Sequence, residues 1–318
     1  AAIRIGNAAY SGTTYTKGLT ITNNYVTATG LFDKAAVAVQ SFAVANAKII
    51  GNTVIDVPYS AFSFGWIWST VGSTAEAIVQ GGAFSTFNME IAYNYITNFM
   101  MELGDGGALY TLGGNASKDE HRLFNWAHDN YWLCQNMTGD GEAHFFAANY
   151  HDGSSTNWET YNTVVVAHSF GSAWSNDAYG SPVDEKIDDE FFDEIPHGTD
   201  DLSKEEYQRR IRNRRNSIYY FYEQTVEGAD SYNITLHDNY LINSRCTIRD
   251  GINKGSQHYE AYRGRARESY FIYVENQRYV KNPGNIPGGA EDIILEAGCD
   301  LFDGTLKGDP SVIADNNY

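Results

Sequence analysis

The sequence predicts an all-β chain wound as a parallel β-helix, and three observations carry that expectation. Apolar residues in the recurring segments alternate with period two, which is the strand period, and not with the 3.6-residue period of an amphipathic helix. Segments of one type recur along the chain, each closing on an asparagine followed by an aromatic or β-branched residue. The intervals between these asparagines are two dozen residues or more, the length of a solenoid coil, whereas a β-sandwich turns at about 8–12 residues.

Taken in order, the segments are 19–26 around Asn24, 48–55 around Asn52, 89–96 around Asn94, 126–132 around Asn130, 158–165 around Asn162 and 234–241 around Asn239. An asparagine at one turn of every coil is suited to the left-handed backbone conformation. Its side-chain amide is also suited to a hydrogen-bonded ladder from coil to coil. The intervals start at 28 residues, from Asn24 to Asn52, and vary along the chain, so extra residues are expected as loops leaving a corner. The longest insertion is expected at about 175–216. It carries an acidic run, Asp184 to Glu194, then a short helix capped by Ser203 and Glu206 and ending in Arg209, Arg210, Arg212, Arg214 and Arg215. The acidic run lacks the spacing of an EF-hand loop and reads as a solvated segment paired with the arginines; a structural Ca²⁺ is the alternative. A second insertion, 255–268, is rich in Tyr, Arg and Glu. The whole of 1–318 reads as a single domain.

With 40 acidic against 22 basic residues the formal charge is −18, which argues against nucleic acid or an anionic membrane surface as partner. No apolar run reaches transmembrane length, and the chain opens without a signal peptide on Ala-Ala-Ile-Arg-Ile-Gly, already strand-like. A mature form, or a piece of something longer, is expected. The three cysteines, Cys134, Cys246 and Cys299, form no C-x-x-C pair and read as buried thiols. Tyrosine is abundant, at 23 residues. Aromatic groove walls suit sugar rings, although β-rich chains favour aromatics in any case.

The acidic turns carry the chemistry. Asp105 precedes Gly106 and Gly107 and then a short apolar strand; the glycines let backbone or substrate approach the carboxylate. Asp152 stands in Tyr-His-Asp-Gly-Ser-Ser one coil on. Coils stack at about 4.8 Å, so equivalent positions lie about 5 Å apart on adjacent coils and about 10 Å apart two coils away. Retaining glycosidases separate their carboxyls by about 5–5.5 Å and inverting ones by about 6.5–9.5 Å. Two close carboxylates also push one pKa up, which makes an acid and a base of them. Glu102, Asp140 and Glu142 are the neighbouring carboxylates; Asp140-Gly141-Glu142-Ala143 is expected to stack beside Asp105-Gly106-Gly107-Ala108. His128, His144 and His151 are candidates to bind hydroxyls or assist proton transfer, and no spacing among them matches a metal site. Trp66 and Trp68, on the strand one coil earlier, are candidate platforms for a sugar ring.

Residues 58–66 (Pro-Tyr-Ser-Ala-Phe-Ser-Phe-Gly-Trp), 105–113 (Asp-Gly-Gly-Ala-Leu-Tyr-Thr-Leu-Gly) and 150–155 (Tyr-His-Asp-Gly-Ser-Ser) resemble, in that order, the bacterial right-handed parallel β-helix glycosidases. The nearest group is glycoside hydrolase family 141, whose pectate-lyase-like solenoids act on plant cell-wall glycans as fucosidases or xylanases. The resemblance spans about 19–170 and 286–302, the latter through Ile-Ile-Leu-Glu-Ala-Gly at 293–298. It implies a secreted or cell-surface bacterial enzyme acting on a polysaccharide or oligosaccharide without a cofactor, with Asp105 and Asp152 as the catalytic pair. Two departures stand out. Gly153 follows Asp152 where the family carries a second acidic residue, and the family carries more residues before the first coil. The second departure leads us to expect missing N-terminal coils, or a second chain covering that end. Two other classes remain open on the same fold. A polysaccharide lyase would need an Arg or Lys base, and only Lys118 and Arg122 are close in sequence; a non-catalytic surface or filament protein would keep a glycan groove without turnover.

Overall fold

A computed structural model of the chain describes residues 1–6, 16–66, 86–113, 125–137, 146–152, 155–167, 223–226, 232–242, 245–248, 272–280 and 285–300. These residues form an all-β structure of three parallel sheets. The chain visits the sheets in rotation. The first circuit holds β1 (Ile3–Ile5), β2 (Thr16–Lys17), β3 (Thr20–Thr22) and β4 (Tyr25–Thr27), and the second β5 (Val39–Ser41), β6 (Val44–Ile50) and β7 (Thr53–Ile55). The third holds β8 (Phe62–Gly65), β9 (Thr86–Ala92) and β10 (Tyr95–Thr97), and the fourth β11 (Gly106–Leu112), β12 (Asn125–His128) and β13 (Tyr131–Cys134). The fifth holds β14 (Phe146–His151), β15 (Thr156–Tyr161) and β16 (Val164–Ala167), and the sixth β17 (Glu223–Val226), β18 (Tyr232–His237) and β19 (Tyr240–Ile242). The last holds β20 (Arg245–Ile248), β21 (Ile272–Glu275) and β22 (Arg278–Val280). The first sheet runs β1-β5-β8-β11-β14-β17-β20, the second β2-β6-β9-β12-β15-β18-β21 with β3 also on β6, and the third β22-β19-β16-β13-β10-β7-β4.

Period-two alternation explains the core. Val39, Phe62 and Leu109 are register partners on the first sheet, as are Ile49 and Ile91 on the second and Val54, Ile96, Trp132, Val165 and Leu241 on the third. All ten belong to one buried cluster drawn from the three sheets. Cys134 and Cys299 are buried free thiols, and burial pushes the Cys134 thiol far above its ordinary value.

The corner from the second sheet to the third is built alike in all seven circuits, and it refines the asparagine expectation. Two residues make the turn. The first is left-handed: Asn23, Gly51, Tyr93, Asp129, Asn162, Asp238 and Asn276 have φ of 55°, 64°, 55°, 51°, 47°, 52° and 50°. The second carries the ladder. The backbone N–H and Nδ2 of Asn24 both donate to Asn52 Oδ1 (3.0 and 2.9 Å), those of Asn52 to Asn94 Oδ1 (2.9 and 2.9 Å), and those of Asn94 to Asn130 Oδ1 (3.0 and 3.0 Å). Asn162 was expected among the ladder residues, but it is the left-handed residue of its corner. Thr163 takes the second position, and its N–H donates to Asn239 Oδ1 at 3.0 Å. Turn geometry and ladder are therefore two jobs on adjacent residues.

The helix α1 (Gly288–Glu296) was not anticipated as a helix. Ala290, Ile293, Ile294 and Ala297 share one face, which packs on Tyr131, Leu133, Val164, Val166 and Ile242 of the third sheet. A Cβ on Gly289 would lie 2.3 Å from Tyr240 Oη, so glycine is what permits this approach. Beyond the helix the chain runs back along the stack. Gly298 N–H donates to the Tyr93 carbonyl (2.8 Å), Cys299 N–H to Thr53 Oγ1 (2.9 Å) and Asp300 N–H to Asn23 Oδ1 (2.6 Å). Those partners belong to the third, second and first circuits in turn. The insertion at 175–216 with its helix and acidic run, and the insertion at 255–268, lie outside the described residues. No helix among the described residues is long and apolar enough to cross a membrane.

Candidate functional site

The site forms on the face of the first sheet turned away from the core. Register sets Tyr110 beside Tyr150 and Thr111 beside His151, and the Asp152 N–H donates to the Thr111 carbonyl at 2.9 Å. Alternation then turns Tyr110, Tyr150 and Asp152 outward, while Leu109, Thr111 and His151 turn inward. Tyr110, Leu112 and Tyr150 make a small apolar cluster of their own, with Trp66 packed against it.

Asp105 and Asp152 flank opposite ends of adjacent strands: one immediately precedes β11, the other immediately follows β14. They are not equivalent positions of neighbouring coils, as the stacking expectation had it. The turn before β11 sets Asp105 into this face. Asp105 is left-handed, with φ 61°. Its carbonyl accepts a hydrogen bond from Tyr59 Oη at 2.7 Å, and its Oδ1 accepts one from Tyr150 Oη at 3.3 Å. Asp152 Oδ2 accepts one from Tyr110 Oη at 2.6 Å. The rings of Tyr110 and Tyr150 meet edge to face with centroids 5.3 Å apart, so the two aspartates are tied to a pair of touching tyrosines.

The electrostatics follow from that placement. Burial, then the charge of Asp152, raise the Asp105 carboxyl above the ordinary carboxylate range, and the Tyr150 hydrogen bond pulls the other way. Burial, then the charge of Asp152 and the hydrogen bond to it, raise the Tyr110 hydroxyl far above its ordinary value, with smaller contributions from Asp105 and Tyr59. Burial, then Asp105 and Asp152, do the same to Tyr59. Tyr59 and Tyr110 therefore stay protonated, as donors; Tyr150 is the third tyrosine of the site. None of them was singled out in the sequence, yet each stands inside one of the three quoted motifs, beside or within a few residues of a residue that was.

Gly106 has a packing role. A Cβ there would lie 2.2 Å from Ser60 Oγ and 2.9 Å from Met100 Sδ. Ser60 Oγ in turn accepts the Gly107 N–H at 3.1 Å. The glycine lets the turn carrying Asp105 sit down on the preceding circuit, in addition to leaving the carboxylate uncrowded.

The other expected site residues divide. Trp66 is at the site: its ring centroid is 5.6 Å from Tyr110 and its indole N–H donates to Ser63 Oγ at 2.7 Å. Its φ of 68° is unusual for a bulky residue and marks local backbone strain beside the acidic pair. Glu102 lies on the Asp105 turn, exposed and ion-paired with Lys34. His151 is fully buried, facing the core, with Nδ1 on Thr111 Oγ1 at 2.9 Å and its ring 5.7 Å from Trp158. Desolvation depresses it to about 3, so it is a neutral core residue and not a groove histidine. His128 belongs to the second sheet. It sits between Glu90 (Nε2 to Oε1, 3.5 Å) and Asp129 (Nδ1 to Oδ2, 2.7 Å) and stacks on Tyr161, which stacks on His237. That column is separate from the acidic pair. Asp140, Glu142, His144 and Trp68 lie outside the described residues. The segment 140–143, expected to stack beside 105–108, lies outside the described residues as well; in the described register Gly106 pairs with Phe146 and Gly107 with Ala147. Among the described residues no group of three or more His, Cys, Asp or Glu side chains is placed to hold a metal ion.

Two carboxylates that share one sheet face, one holding its proton more tightly than a free carboxyl, stand amid tyrosine donors and an indole, an arrangement suited to proton transfer. In comparisons with known proteins no family model, no curated protein and no solved structure matches this chain.

Proposed function

We propose that this chain is a right-handed parallel β-helix and that the face around Asp105 and Asp152 is the site of a glycoside hydrolase cleaving a polysaccharide or oligosaccharide. The three in-register parallel sheets visited in rotation support the fold, and right-handed crossovers between parallel strands are the rule. The observation that carries the function is the electrostatic pairing of Asp105 with Asp152 on an outward, tyrosine-rich sheet face. Glycosidic cleavage needs one carboxyl to protonate the leaving oxygen and one carboxylate to work on the opposite side of the anomeric carbon. Trp66 and Tyr59, each partly exposed, supply ring edges of the kind that hold sugars, while the buried Tyr110 and Tyr150 hold the carboxylates.

The test is a reducing-sugar assay on a panel of plant and bacterial polysaccharides, comparing the full chain with Asp105→Asn and Asp152→Asn. Cleavage lost in both variants is the expected result. Cleavage retained by either removes that carboxylate from the reaction. Retained glycan binding with no turnover on any substrate would make this a glycan-binding protein, and an unsaturated product absorbing in the ultraviolet would make it a lyase.

A further inference from the structure

The two carboxylates of the site are held differently. Asp152 accepts a 2.6 Å bond from Tyr110, within the range of strong O–H···O⁻ contacts. Asp105 accepts a 3.3 Å bond from Tyr150, beyond the usual O–H···O distance. The tyrosines cannot trade roles, because they are register partners with their rings locked edge to face. Tyr110 is buried, so little rotation is available to its ring.

A hydroxyl that donates to a carboxylate favours its charged form. The same negative charge favours the protonated form of the neighbouring Asp105 carboxyl. We propose that Tyr110 is a positioning residue that holds Asp152 as the ionised member of the pair, and that Asp105 is thereby the member that carries the transferable proton. The reaction roles rest on the hydrolase reading; the division of charge does not. Asp105 gives its proton to the glycosidic oxygen as that oxygen takes the electron pair of the breaking anomeric C–O bond. Ionised Asp152 either bonds to the anomeric carbon or takes a proton from the water that does. One water is consumed per bond: its hydroxyl ends on the anomeric carbon, and its proton replaces the one Asp105 gave.

The experiment is a carboxyl-carbon NMR titration of the full chain labelled with ¹³C-aspartate, with Asp105→Asn and Asp152→Asn assigning the two signals. Asp105 is expected to titrate at the higher pH. Tyr110→Phe, which keeps the ring and removes the donor, is expected to raise the Asp152 midpoint by about one unit, the equivalent of one charged-group hydrogen bond. The acidic limb of the kcat/KM profile should move up with it. A higher midpoint for Asp152 than for Asp105, or an Asp152 midpoint that Tyr110→Phe does not move, overturns the proposal. The order of titration in the unsubstituted chain decides the division of charge even if Tyr110→Phe does not fold. A chain that divides the charge as stated but cleaves no glycan overturns the hydrolase reading alone. A chain that cleaves glycans with its acidic limb unmoved in Tyr110→Phe overturns the role of Tyr110 alone.

Discussion

Tyr110 and Asp152 are joined by a 2.6 Å hydrogen bond across adjacent strands, 42 residues apart in sequence. In the reverse sense Tyr150, two residues before Asp152, reaches Asp105, which leads into the strand of Tyr110. The crossed arrangement means that neither aspartate depends on its own strand for its tyrosine. A displacement of β11 against β14 would break both bonds together.

Asp105 sits in this arrangement at a cost to stability. Its folded-state pKa is raised above 3.8, so its contribution is fully favourable below that pH and is lost as pH rises through the folded value. Asp105→Asn should therefore raise the melting temperature at neutral pH while abolishing activity. Melting curves at pH 7 check it. A lowered melting temperature would mean that the carboxylate is structurally stabilising, against the burial and charge that surround it.

His151 has the opposite sign. A free histidine titrates near 6.5, whereas this one is depressed to about 3 by burial. Between those values the unfolded chain takes up a proton that the folded chain refuses, so stability falls as pH falls from about 6.5. From pH 6.5 to 4.5 the loss is on the order of 2 kcal/mol. His151→Asn should start less stable at pH 7.5, having left a cavity, but lose less on acidification. Urea midpoints at pH 7.5 and 4.5 measure the difference. Equal losses in both proteins would show that other groups set the acid limit.

The asparagine ladder is graded by burial. Asn94 is fully buried, accepts two bonds from Asn52, and donates to Asn130 and to the Ile49 carbonyl. Asn94→Ala strips partners from buried groups on both neighbouring circuits, at about 2–4 kcal/mol. Asn24, more exposed and at the end of the ladder, should cost under about 1 kcal/mol when replaced by Ala. Denaturant unfolding of the two variants separates them, and equal costs would sink the ladder as a source of stability.

The strands of the repeat were legible because period two survives every insertion: β3, β6, β9, β12, β15 and β18 all precede their predicted turns. The ladder residue at Thr163 was not, because Asn162 beside it satisfies the same pattern; only backbone conformation tells a left-handed asparagine from a hydrogen-bonding one. The face of His151 followed from alternation against Asp152, a one-residue step that puts neighbours on opposite sides of a sheet. Helix α1 carried its signal in Ala290, Ile293, Ile294 and Ala297 after Pro287, at helical spacing. The tyrosine-to-aspartate bonds carried none, since they depend on register between strands about 40 residues apart.

Gly106 is where packing and site meet, and it separates the two experimentally. A methyl group there would fall 2.2 Å from Ser60 Oγ, 2.9 Å from Met100 Sδ and 3.0 Å from Met100 Cε. Neither side chain can withdraw freely: Ser60 holds the Gly107 N–H, and Met100 is fully buried with its N–H on the Tyr59 carbonyl. Gly106→Ala should therefore lift the turn carrying Asp105, lengthening the contacts from Tyr59 and Tyr150, at about 1–3 kcal/mol of overpacking. Activity should fall further than stability, since a shift of about 1 Å in a reacting group can cost about a hundredfold. Ser60→Ala in the same chain removes the closest clash and should recover part of both. Rescue of stability without rescue of activity would place the defect in the lost Ser60–Gly107 hydrogen bond and not in the position of Asp105.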